Sequence, residues 1–172
     1  MSASRFPGLA GRRVAAAVAA VLLVGPVAPA QDKEKPDTDK IPKRVMDALK
    51  GKFPKAEIRE WSKEKEGDVV VYDIEFRQAG KKYEADIREN GTFHNWEKEI
   101  TARDLPDAVR KTLATRYPGA AFTEVMEITA VKDGKDALEG YEVGLTTADK
   151  KAVEVTVAPD GKVLEEELEE EK

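Results

Sequence analysis

The residues of this chain that could perform chemistry are few. It has one histidine, His94, and no cysteine, and beyond the first thirty residues its one serine is Ser62. Hydrolysis through a nucleophile needs a hydroxyl or thiol beside a base that a third group orients. Ser62 and His94 fall on different predicted strands, and nothing around Ser62 forms the sharp turn that exposes a nucleophile. A lone histidine with no ligand pattern gives no zinc site, and no glycine-rich phosphate loop occurs. Carboxylates such as Glu84 and Asp86 sit among lysines on a predicted solvent face, where nothing raises a pKa for acid–base work. The chain reads as a non-enzyme, with no metal and no cofactor.

Binding chemistry is better represented. Trp61 and Trp96 could each anchor a partner, since an indole buries a large area with few rotors to freeze. Strand alternation sends both outward: Ala56 and Ile58 face the core, which leaves Trp61 on the other side, and Phe93 inward puts Trp96 outward. His94 would share that outward face, so Trp61, His94 and Trp96 are the candidate partner-binding residues. A β-bulge would instead turn either tryptophan into the core. Lysines and arginines number 29 against 34 acidic residues, for a net charge of −5. Nucleic acid and anionic lipid require a basic surface, so neither fits as a partner.

The elements that position these residues can be read from the chain's ends inward. Arg5, Arg12 and Arg13 precede the apolar run Val14–Val24, and Ala28-Pro29-Ala30 is a small-x-small cleavage site; residues 1–30 are expected to be a signal peptide. As a helix that run would span roughly 16 Å, short of the ~30 Å hydrocarbon core, so no membrane anchor is expected after cleavage. Removing its arginines makes the mature chain more acidic still. Residues 31–40 carry alternating charge with no large apolar side chain, and read as a flexible linker. An exported chain without cysteine must take its stability from packing rather than disulfides.

From Ile41 onward the chain repeats itself. Ile41-Pro42, Val45, Leu49, Phe53-Pro54 and Ala56 recur as Leu105-Pro106, Val109, Leu113, Tyr117-Pro118 and Ala120. Tyr72-Asp73-Ile74 returns as Tyr141-Glu142-Val143, and Tyr83-Glu84 through Asn90-Gly91 as Val153-Glu154 through Asp160-Gly161. The later matches are spaced more widely, which points to a lengthened surface loop around Lys132–Gly140. Each copy opens with an apolar stripe at helical spacing, with proline in the first turn and another just past the end. Period-two alternation follows, with Val70, Tyr72, Ile74 and Phe76 on one face and charged residues opposite. Tyr72, Tyr83, Tyr141 and Met126 fall in phase with the buried set and read as core. Asn90-Gly91 and Asp160-Gly161 suit two-residue type I′ hairpin turns. The expected fold is α+β: two tandem units, residues 41–100 and 101–172, each one helix on a four-stranded antiparallel meander, the second ending in an acidic tail.

The motif Leu105-Pro106-x-x-Val109-x-x-x-Leu113-x-x-x-Tyr117-Pro118-Gly119-Ala120, with Tyr141-Glu142-Val143, Val153-Glu154-Val155 and Asp160-Gly161-Lys162, resembles the PepSY-like family of exported bacterial proteins, described as similar to β-lactamase-inhibitor protein. The first copy matches more loosely, with Lys55 in place of Gly119 and Asn90 in place of Asp160. The resemblance implies a secreted or periplasmic α+β domain and a role in regulating or inhibiting peptidases; it assigns no inhibitory residue. The sequence thus points to an exported module that binds envelope proteins or peptides through its open sheet face. The alternative is an envelope sensor or buffer of small cations or ligands on the acidic surface. Partner identity and oligomeric state are not encoded in these motifs.

Overall fold

The computed structural model describes residues 36–168. The expected signal peptide with its cleavage site, the first half of the linker and the end of the acidic tail lie outside those residues. A 3-10 turn, Thr38–Lys40, leads into α1 (Lys43–Lys52), β1 (Glu57–Glu66), β2 (Val69–Gln78), β3 (Lys81–Arg88) and β4 (Phe93–Glu99). There follow α2 (Asp107–Arg116), β5 (Ala121–Lys132), β6 (Lys135–Thr146), β7 (Ala152–Val157) and β8 (Val163–Leu168).

All eight strands pair antiparallel in chain order as one sheet. The expectation of an α+β protein built from tandem four-stranded units is corrected by this topology. β4 pairs with β5 from Asn95↔Ala130 to Glu99↔Met126, so what would have been two exposed sheet edges are consumed in joining the halves. With two ten-residue helices beside that sheet, the protein is mainly β.

Both helices lie on the same face. Val45 and Leu49 of α1 are fully buried against Tyr72, Ile74, Phe76, Ala85 and Ile87; Val109 and Leu113 of α2 are buried against Tyr141, Val143, Leu145, Val153 and Val155. Register carries that face across the junction: Lys98 pairs with Glu127, which pairs with Tyr141. Pro42 and Pro106 take the N-cap positions, and no side chain caps either helix. Asp104 instead accepts hydrogen bonds from the Thr101 amide at 2.9 Å and its hydroxyl at 2.8 Å.

The turns after β3 and β7 differ from the expected type I′ pair. Of their central residues, Gly91 and Gly161 have positive φ, both 89°, while Asn90 and Asp160 do not. Gly91 N–H donates to Arg88 O at 2.7 Å and Arg88 N–H to Thr92 O at 2.9 Å; the loop after β7 repeats this between Ala158, Gly161 and Lys162. These are three-residue loops, a type I turn closed by a left-handed glycine. A Cβ on Gly91 would stand 2.9 Å from Arg44 O, and one on Gly161 2.8 Å from Ala108 O. The loops thus press against the first turn of each helix, which requires glycine twice over.

The widened spacing around Lys132–Gly140 lies in a longer hairpin. β5 and β6 each run to 12 residues, against 10 for β1 and β2. Past a bulge at Ile128/Thr129 the ribbon reaches α1, where Asp136 accepts from Lys52 Nζ at 2.6 and 2.9 Å.

Candidate functional site

The three residues expected on an outward face do not share one. A bulge between Ile58 and Glu60 adds Arg59 to β1, so Trp61 comes to lie opposite Ile74 on the helix side. Its ring stacks on Tyr72 at 6.2 Å, and Nε1 donates to Asp37 O at 3.2 Å, which ties down the segment before α1. A second bulge leaves His94 as the extra residue of β4 and sets Trp96 opposite Ala85. Trp96 meets Phe53 edge-on at 5.6 Å, and Lys52 Nζ stands 5.3 Å above its ring. The outward orientation that simple alternation gives both tryptophans is therefore corrected, and the bulge alternative holds at each. An extra residue on one strand flips every side chain that follows it.

His94 meets Arg88, whose Nη2 lies 2.9 Å from Nδ1. A guanidinium can only donate, so in this contact Nδ1 is the acceptor. Trp61 and Trp96 share the helix face but are separated by β2 and β3.

The opposite face, with Glu84 and Asp86 among lysines, was expected to meet solvent. Its centre is instead withdrawn from water: Glu84, Asn95, Glu97 and Glu142 are all buried. Met126 is buried as expected, but on this side, paired with Glu99 and Glu142 rather than with the valines. Ile128 and Ala130 continue its row along β5, and both are buried.

Lys82 stands among the carboxylates. Its Nζ lies 2.8 Å from Glu124, 2.9 Å from Glu84 and 3.6 Å from Glu75, while its amide donates to Glu99 Oε2 at 3.0 Å. Burial is the largest single influence on Lys82 and opposes its charge. The hydrogen bond and charge of Glu124, then those of Glu75, outweigh burial, and the ammonium pKa ends above its ordinary value. Among the described residues no group of three or more histidines and carboxylates is arranged to hold a metal ion.

This cluster was invisible in the linear sequence because Lys82, Glu75 and Glu124 come from three strands. A signal for the row beside it did exist: Val125-Met126-Glu127-Ile128-Thr129-Ala130 is apolar at both parities over part of its length, as a strand buried on both faces requires.

Comparison with curated proteins gives no match. Among solved structures, a DUF2874 family protein from Bacteroides uniformis superposes with a TM-score of 0.56 at 18% identity, over 74% of this chain and 88% of that one. A protein from Bacteroides eggerthii gives 0.57 at 16% identity over the same shares. A second DUF2874 family protein, from Bacteroides ovatus, gives 0.55 at 13% identity, over 74% and 86%. These likenesses are of fold. The family described as "Putative beta-lactamase-inhibitor-like, PepSY-like" matches residues 31–94 and 70–165. Those two matches together run from the linker into β8, and the chain belongs to the PepSY-like family.

Proposed function

We propose that the protein is a non-catalytic exported module that binds envelope proteins or peptides through the sheet face opposite its helices. The observation that carries this reading is the division of labour between the two faces. One face is occupied by α1 and α2; the other holds a buried apolar row and a cluster of carboxylates, and neither described helix lies over it. The reachable part of that face is its charged margin, where the Glu75 and Glu124 side chains are 34% and 31% exposed, and charge so placed steers and selects a protein partner. Export is supported by the solved relative from Bacteroides eggerthii, described as a "putative periplasmic" protein. No described helix is long and apolar enough to cross a membrane. The family's inhibitor-like description extends the reading to covering the surface of a peptidase or another enzyme.

The test is cross-linked capture from the native envelope with the exported protein as bait, followed by hydrogen exchange on the isolated complex. Protection of β3–β6 amides and loss of capture on Glu124→Lys are expected. Failure to retain any protein or peptide above a β-rich control of equal charge would sink the proposal.

A further inference from the structure

The two edges of the sheet are guarded differently, and that difference does not rest on the role proposed for the face. β8 ends the strand order, and among the described residues no strand pairs with its outer side. Such an edge is a template for another strand unless charge or irregularity blunts it. Leu164, the extra residue of a bulge opposite Val157, is 47% exposed, and Leu168 is 67% exposed. Between them stand Glu165, Glu166 and Glu167. Glu166 faces Arg116 and Tyr117 at the end of α2 and pairs with the arginine. Glu165 and Glu167 lie on the other side of the strand, opposite Thr156 and Glu154 of β7. β1, the other edge, holds Arg59, Lys63 and Lys65 among its carboxylates, and these keep their charge in acid. From Glu165 to Glu167 the guard on β8 is carboxylate alone, so protonation removes it. Read against itself in the opposite direction about Glu166, the sequence matches Leu164 with Leu168, Lys162 with Glu170 and Asp160 with Lys172.

We propose that β8 pairs antiparallel with β8 of a second copy, centred on Glu166, and that the carboxylates of Glu165 and Glu167 hold the two edges apart until acid neutralises them. Leu164 of each copy then meets Leu168 of the other, and the contact closes as a two-fold dimer. In that register Glu165 stands opposite Glu167. Ionised, the two repel across the strands; once protonated, a carboxyl donates a hydrogen bond to its counterpart. Glu166 meets its own copy at the axis, each balanced by its Arg116. The transition should lie near the ordinary glutamate range, about pH 4–5. Glu165 takes its proton early, because burial and then the charge of Glu167 raise its pKa.

The experiment is sedimentation velocity at several protein concentrations, at neutral pH and in acid, with tryptophan fluorescence following the native fold. A monomer at neutral pH and a dimer in acid are expected. Glu165→Gln with Glu167→Gln should give the dimer at neutral pH, tightened about tenfold or more as the loss of two like-charge contacts implies. That variant needs no acid, so it decides even where acid unfolds the protein. Leu168→Lys should abolish the dimer. Asp68→Asn with Glu89→Gln, at exposed turn residues, makes the same change in net charge. Equal dimerisation of that control would reduce the effect to bulk charge and overturn the proposal. So would a glutamine variant that stays monomeric, or growth beyond the dimer, which pairing of β8 with β1 would produce. The chain has no cysteine, so introduced thiols report the register. In the glutamine variant, copies bearing Leu164→Cys and copies bearing Leu168→Cys should cross-link to each other and not to themselves. Self-linking would place the contact elsewhere and remove this inference.

Discussion

Lys82 Nζ stands 2.8 Å from Glu124 Oε1, an ion pair that reaches over β4 to join β3 to β5. Glu84 at 2.9 Å and Glu75 at 3.6 Å share the same ammonium. One cation thus holds carboxylates from both halves of the sheet, on the face that the helices leave uncovered. The Lys82 side chain is 13% exposed and that of Glu124 31%, so water screens this pair less than a surface one but does not leave it dry.

Lys82→Met should destabilise the fold toward the low end of the about 3–5 kcal/mol found when a buried pair loses one member, given the exposure of Glu124. The pH dependence carries a sign. A lysine with a raised folded pKa contributes stability that is complete below its unfolded value of about 10.4 and is lost as pH climbs through the folded value. The gap between wild type and Lys82→Met in urea midpoint should be flat through neutral pH and close in the alkaline range. A gap that widens there would contradict the pair.

The tryptophans now predict stability changes of different sizes. Trp96→Ala should cost about 3–5 kcal/mol as an aromatic core truncation, because Trp96 packs on Phe53 and beneath Lys52. Trp96→Phe should cost far less, since its Nε1 is buried without a partner and its loss relieves that donor. Trp61→Phe forfeits the bond to Asp37 O, worth about 1 kcal/mol. Guanidinium unfolding of the three variants checks the order, and a Trp96→Ala protein as stable as wild type would place that ring outside the core.

The helices and the phase of β2 were legible because their signals are local. Proline at each helix start and the Val70–Phe76 alternation act within a few residues, and Tyr72, Ile74 and Phe76 are buried accordingly. What escaped depends on pairing. Nothing in Arg59 or His94 marks either as the extra residue of a bulge, yet each reverses the tryptophan that follows. The β4–β5 pairing that merges the halves is decided by which edges meet, which no single segment encodes. Asn90 suggests a left-handed residue because asparagine tolerates that region, but the right-handed region remains its ordinary one, and only the glycine after it is forced.

Gly91 and Gly161 offer a test with an internal control. Alanine at either position should cost about 1–3 kcal/mol for the left-handed backbone, and more because its Cβ would press on Arg44 O or Ala108 O. Gly67 also has positive φ, at 61°, but nothing lies within 4 Å of its Cβ position. Gly67→Ala therefore reports strain alone, and the excess loss at Gly91 measures the close approach of loop to helix. Equal losses by thermal unfolding would mean that the contact with α1 yields at no cost.

Lys52 and Asp136 provide the contact by which the long β5–β6 hairpin meets α1, and their side chains are 29% and 41% exposed. A pair so placed contributes about 0–1 kcal/mol to global stability and is screened by salt. Its effect should be local instead. Asp136→Asn removes the charge, keeps an acceptor, and leaves the β5–β6 ladder from Lys132↔Lys135 to Ala130↔Ala137 formally intact. Amide exchange in that ladder should quicken several-fold while the urea midpoint barely moves, because the ribbon's tip opens without the sheet. Lys52 also lies over the Phe93 and Trp96 rings at 5.6 and 5.3 Å, so Lys52→Met should preserve the packing on Trp96 yet reproduce the faster exchange. If Asp136→Asn leaves exchange unchanged, the hairpin is held by its own pairing and the ion pair is incidental to it.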